Sequence, residues 1–120
     1  METFDRTRTD RIAALNDRVR KNLDRNAQIV FTHGCLATFD DGNGATAIRT
    51  QAMIMRAIRL HDFNDDDTYR ERDFGAFDFR GERLFFKIDY YDSNLEFGSE
   101  DPSDAAKTRR VMTIMLASDY

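Results

Sequence analysis

The residues of this chain best suited to chemistry are carboxylates. Asp73, Asp78, Glu82, Asp89, Asp92 and Glu96 follow one another at short spacing through an aromatic-rich stretch. Two such groups converging in a pocket can act as general acid and base or hold a divalent metal. On that reading Asp73, Asp89 and Asp92 would serve a small metal-dependent hydrolase or nuclease-like enzyme. Spread over a solvated sheet face, the same groups keep a domain soluble and present negative charge to a partner.

Other stretches invite specific chemistries and do not meet their requirements. Asp73-Phe74-Gly75 spells the magnesium-binding tripeptide of protein kinases, but no Gly-rich phosphate loop, paired lysine or His-Arg-Asp loop precedes it. Counting Asp62 as position one of a calcium loop puts Asn64 at three, Asp66 at five and Asp73 at twelve. Position six is then Asp67, where the turn needs glycine, and a strand follows where a second helix should. The segment is expected to be a solvated acidic loop, with at most weak divalent-cation binding over Asp62–Asp73. His33-Gly34-Cys35 sets a histidine two residues from the single cysteine, yet no third group is identifiable to orient them, so Cys35 is expected to be a buried or half-buried free thiol. The N-terminal stretch carries Arg8, Arg11, Arg18, Arg20, Lys21 and Arg25, of which Arg11, Arg18 and Arg25 repeat at seven residues and, on a helix, would form a stripe able to touch phosphates. With so much acid elsewhere in the chain, direct nucleic-acid binding is the weaker reading of that stripe.

Those residues must be positioned by elements that the pattern predicts. Residues 8–24 read as an amphipathic helix with Ile12, Leu15, Val19 and Leu23 on one face, and Thr9 or Asp10 as its cap. Residues 28–33 read as a short strand ended by Gly34, and residues 40–44 as a turn. Residues 45–61 read as a second helix with Ile48, Ala52, Met55 and Ile58 as its core stripe. In the aromatic stretch, Phe77 and Phe79 alternate with polar residues, as do Leu84, Phe86, Ile88 and Tyr90. Arg80-Gly81 between them suits a two-residue hairpin loop. Pairing Phe79 with Glu82 sets Phe77 against Leu84, Gly75 against Phe86 and Asp73 against Ile88. It also meets Asp78 with Arg83 and leaves Asp89 on the face opposite Asp73. Periodicity over residues 110–117 fits strand and helix alike, but a lone hairpin is marginal and Val111, Thr113 and Ile114 are β-branched, so a third strand is the favoured expectation there. The predicted fold is α+β: a single domain, 1–120, of two helices packed on a small antiparallel β-sheet built around the 73–91 hairpin.

The totals fit this picture. At 120 residues, 41% hydrophobic and 33% charged, the chain can bury a core without disulfides. No apolar run is long enough to span a membrane and no signal-peptide-like region is evident, so a cytoplasmic setting is expected. The net charge of −4 hides segregation: residues 1–61 carry ten basic and seven acidic groups, and residues 62–104 carry five and fourteen.

Five runs, ERDFGAF, GERLFFKIDYYD, LEFGSEDP, TRRVMTIMLASDY and the shorter Asn16-Asp17-Arg18, resemble a family of uncharacterised proteobacterial proteins, domain of unknown function 3768. The family has no established activity, and its frequent carriage on plasmids and other mobile elements implies a similar setting here. Its usual Glu-His-Asp-Phe-Gly is Glu71-Arg72-Asp73-Phe74-Gly75 in this chain, and Asp67-Thr68-Tyr69-Arg70 replaces its preceding Asp-Pro. Arginine neither ligates a metal nor titrates near neutrality, so Arg72 takes over no metal or base role of that histidine.

The function expected from these readings is that of an acidic, non-enzymatic interaction protein of a mobile element, of the anti-restriction or anti-CRISPR inhibitor type. Its basic partner would be a nucleic-acid-binding defence complex, and no cofactor is implied. The expected contact set is Asp65, Asp66, Asp67, Phe85, Asp89, Tyr91, Asp92, Glu96, Glu100 and Asp101, with Phe85 and Tyr91 as exposed anchors. The metal-dependent enzyme is the alternative. The charges also permit a homodimer in which the basic helix of one copy covers the acidic sheet of another.

Overall fold

The first apolar stripe becomes helix α1, Arg6–Arg20, in a computed structural model that describes residues 6–63 and 70–120. The helix begins ahead of the expected cap, and Thr9 is buried within it. It stops at Arg20 rather than at residue 24 because Asn22 adopts the left-handed conformation, φ 58°. The Asn22 amide donates to Val19 O (2.9 Å) and the Leu23 amide to Arg18 O (2.8 Å), satisfying carbonyls that the last turn leaves open. Leu23 therefore falls outside the helix and is exposed, while Ile12 and Val19 hold their core positions.

The expected strand 28–33 is divided. Strand β1 is Gln28–Phe31, and a short helix α2, His33–Thr38, follows it. Thr32 makes the change of direction. Its amide donates to Ile114 O (2.9 Å), and its hydroxyl caps α2 by accepting from the Cys35 amide (3.3 Å). Gly34 is thus helical, and a Cβ there would stand 2.6 Å from Asp119 Oδ2.

Helix α3, Gly44–Arg59, is capped by the Asn43 carboxamide, which accepts from the Ala45 and Thr46 amides. Its buried row is Thr50, Ile54 and Ile58, whereas Ile48 and Ala52 face solvent. The expected stripe is therefore rotated. Both rows obey helical spacing, and tertiary contact selects between them: Arg80 Nη1 of the hairpin donates to Thr50 Oγ1 (3.2 Å).

Strands β2, Phe74–Phe79, and β3, Glu82–Tyr91, form the hairpin in the expected register, with Phe79 opposite Glu82 and Gly75 opposite Phe86. Positive φ at Arg80 (49°) and Gly81 (81°) gives the mirror-image turn whose twist matches that of paired strands. Strand β4, Arg109–Leu116, pairs antiparallel with β3 and parallel with β1. The sheet order is β1-β4-β3-β2, so the sheet is mixed rather than wholly antiparallel. One face of it, Leu84, Phe86 and Ile88 with Met112 and Ile114, packs on Val19, Cys35, Ile54 and Ile58. Three helices on a four-stranded sheet make the fold α+β.

Candidate functional site: an acidic lobe on a buried polar network

The core face of the sheet ends in polar residues. Tyr90 on β3 and Arg110 on β4 are register partners in the phase of Ile88 and Met112. Asn16 stands between Ile12 and Val19 on the buried face of α1 and is fully buried, and Arg110 is 2% exposed. These three residues meet. Asn16 Nδ2 donates to Tyr90 Oη (2.8 Å) and to Glu71 O (2.9 Å), and Asn16 Oδ1 accepts from Arg110 Nε (2.7 Å). Tyr90 Oη donates to Glu71 Oε1 (2.8 Å), and the Arg110 guanidinium lies over the Tyr90 ring, 4.9 Å from its centroid. Burial drives the Tyr90 phenol far above its ordinary pKa, opposed by Asn16 and reinforced by Glu71 and Asp73. Tyr90 is therefore a fixed hydrogen-bond donor at neutral pH. Burial also lowers the Arg110 pKa against the opposing fields of Tyr90, Asp24 and Glu71.

A charged pair adjoins this network. Arg72 donates from Nε to Asp17 Oδ1 (2.8 Å) and from Nη2 to Asp17 Oδ2 (2.6 Å), and Arg20 bonds the same carboxylate. Burial opposes ionisation of Asp17, but the Arg72 and Arg20 hydrogen bonds outweigh it and hold the carboxyl below its usual range. Arg72 reaches this position with φ 56°, and Arg70 has φ 58°. Left-handed backbone at a non-glycine residue carries strain, which the bidentate pair helps to offset. The segments 16–17 and 71–73, which carry part of the family resemblance, thus converge in space. Arg72 thus serves as an ion-pair anchor.

The network also holds the segment 92–104 against the sheet. Arg110 Nη2 donates to Pro102 O (2.6 Å), Thr108 Oγ1 to Asp101 O (2.8 Å), and the Ser99 amide to Tyr90 O (3.1 Å). Arg8 of α1 pairs with Asp101 at 3.4 Å. Residues 92–104 contain five carboxylates and no lysine or arginine. Three of the five are engaged in local structure, Asp104 by accepting from the Ala106 amide (2.9 Å). Asp92 Oδ1 accepts from the Asn94 (3.2 Å) and Glu96 (3.0 Å) amides. Asp101 accepts from the Ser103 hydroxyl and amide, which, with Arg8, keep its pKa low. Glu96 and Glu100 are exposed, and between them Phe97 is 71% exposed. A cleft of about 480 Å³ beside Phe97 is lined by Asp92, Glu100 and Lys107 among others.

The remaining expected contacts lie elsewhere. Phe85, Asp89 and Tyr91 project from the face of β3 opposite Tyr90 and are half-buried. Phe85 packs edge-on against Phe74 (5.0 Å) and Tyr120 (5.5 Å), which removes it as an exposed anchor. Asp89 pairs with Lys87 at 3.4 Å. Arg83, Lys87 and Arg109 share that face with Asp78 and Asp89, so the sheet face is mixed in charge and the carboxylates gather instead in the lobe. Asp65, Asp66 and Asp67, with half of the calcium-like loop, lie outside the described residues.

The register places Asp73 beside Tyr90, away from Asp89 across the sheet. Among the described residues, no three or more His, Cys, Asp or Glu are grouped to hold a metal ion. Cys35 is fully buried, and burial, followed by the Asp119 charge, raises its pKa. Helix α1 ends at Arg20, so Arg25 lies beyond it and the Arg11, Arg18 and Arg25 repeat does not run along one helix, while Arg20 is buried on Asp17.

Sequence reasoning missed Phe97 and the polar network. The signals were an aromatic residue inside an aperiodic acidic segment, and polar residues in phase with apolar stripes.

No described helix is long and apolar enough to cross a membrane. No curated protein and no solved structure matches the chain. A family model described as "Protein of unknown function (DUF3768)" matches residues 9–119, which include the polar network and the whole acidic lobe. The chain therefore belongs to the DUF3768 family of proteins of unknown function.

Proposed function

We propose that this protein is a non-enzymatic interaction module that docks its acidic lobe on a basic, nucleic-acid-binding protein. The observation that carries this reading is Phe97, 71% exposed in a segment of five carboxylates without a basic residue. An exposed aromatic flanked in sequence by the exposed carboxylates of Glu96 and Glu100 suits a partner that supplies both an apolar pocket and positive charge. The lobe is tied down by Arg110, Thr108 and the β3 backbone, so little ordering entropy is lost on docking. In its concrete form the protein is an anti-restriction or anti-CRISPR inhibitor of a mobile element, its carboxylates occupying sites built for phosphates.

The test is a pull-down from a bacterial host lysate with wild-type protein, Phe97→Ala and Glu96→Gln/Glu100→Gln. Each is run at roughly 50 and 500 mM salt, conditions that bracket the ~10 Å screening length of 0.1 M salt. These substitutions spare Asp92 and Asp101, which the lobe needs for its own shape. The expected result is one nucleic-acid-binding protein, retained at low salt and lost with salt and with either variant. Capture that is indifferent to both variants, or no capture at low salt, overturns the reading.

A further inference from the structure

A second concavity lies between α2, α3 and the turn at residues 39–40, and it shares no residue with the acidic lobe. Its volume is about 290 Å³. Phe39, Ala47 and Ile54 give it apolar walls, and the buried Cys35 contributes to its lining. The polar groups on its wall are the His33 imidazole, the Gln51 carboxamide, Asp40 and the Thr50 hydroxyl, which already accepts from Arg80 Nη1 (3.2 Å). No lysine or arginine lines it. Asp40 is already engaged, since its Oδ1 accepts from the Gly42 amide at 2.8 Å.

We propose that this cavity is a binding site for a small neutral molecule built on one or two fused aromatic rings with a single hydrogen-bonding substituent. Three features fix that class. Size comes first: an apolar cavity of about 150 Å³ accepts benzene, so about twice that volume suits an indole-sized molecule. The second is wall chemistry, because the Phe39 ring offers an aromatic edge or face and Ala47 and Ile54 supply dispersion contacts. The third is charge. An anionic ligand would find no lysine or arginine on this wall, only the His33 imidazole, and would meet the Asp40 carboxylate, whereas Gln51 can donate to or accept from one neutral polar group.

The experiment uses the full ¹⁵N-labelled chain titrated with indole, phenol and benzoate, following the amide resonances of Leu36, Ala47, Gln51 and Ile54. Saturable shifts at these amides are expected with indole and phenol, with benzoate weaker by about tenfold or more. Ala47→Phe, which fills the cavity from α3, is expected to weaken indole binding by about tenfold or more. Ala37→Met fills it from α2 and repeats the test should Ala47→Phe fail to fold. The proposal is overturned by an absence of saturable shifts up to the solubility of indole. Unchanged indole affinity in a folded, filled variant overturns it too, as does benzoate binding as tightly as indole.

Discussion

At the residue scale, the molecule depends on polar groups buried where a core would ordinarily be apolar. Tyr90 Oη accepts from Asn16 and donates to Glu71, so Tyr90→Phe leaves a buried amide proton and a carboxylate oxygen each short of a partner. The expected cost is roughly 1–3 kcal/mol of unfolding free energy, measured by denaturant titration. Asp17 gives a pH prediction. Its folded pKa lies below the unfolded value of about 3.9, so its contribution is present above that value and is lost as pH falls through the folded pKa. Arg72→Gln removes the bidentate partner and should shift acid unfolding to higher pH, as followed by circular dichroism. None of these partnerships was read from the sequence, though their phase was visible. Asn16 sits on the Ile12–Val19 stripe, Tyr90 follows Leu84, Phe86 and Ile88, and Arg110 precedes Met112 and Ile114 at strand spacing. Polar residues in phase with a core stripe reveal burial but not partners, and those of Asn16 stand 55 to 94 residues away.

At the element scale, the hairpin was legible because three local constraints agreed: alternating aromatics, a two-residue Arg-Gly turn and the Asp78–Arg83 pair. Gly75 shows how tight the result is. A Cβ there would overlap the Phe86 ring and approach His61 Nε2 to 2.8 Å. Gly75→Ala is expected to destabilise the fold by roughly 1–3 kcal/mol, measurable by thermal or chemical unfolding, unless Phe86 and His61 can repack. The parallel pairing of β1 with β4 was not legible, because Gln28 meets Val111 across most of the chain and no local pattern encodes that contact. Helix α2 escaped for another reason. Six residues carry too little periodicity to declare a helix, and Thr32 serves both the strand and the cap. The rotated face of α3 reflects two rows of equal helical spacing that only the hairpin's contact distinguishes.

At the scale of the whole molecule, charge segregation in the sequence becomes a local feature of the surface. The sheet face interleaves basic and acidic side chains, and residues 92–104 carry five carboxylates and an exposed Phe97. Composition foretold an acidic region, but its location depended on which strand residues point outward and on how Arg110 and Thr108 hold the lobe. The most direct measurement is the affinity of the purified captured partner for wild type and for Glu96→Gln/Glu100→Gln, across about 50 to 200 mM salt, a range over which the screening length shortens markedly. The account predicts binding that weakens steeply with salt for wild type and both weaker and less salt-dependent binding for the variant. Equal affinity and equal salt dependence for the two proteins would contradict it.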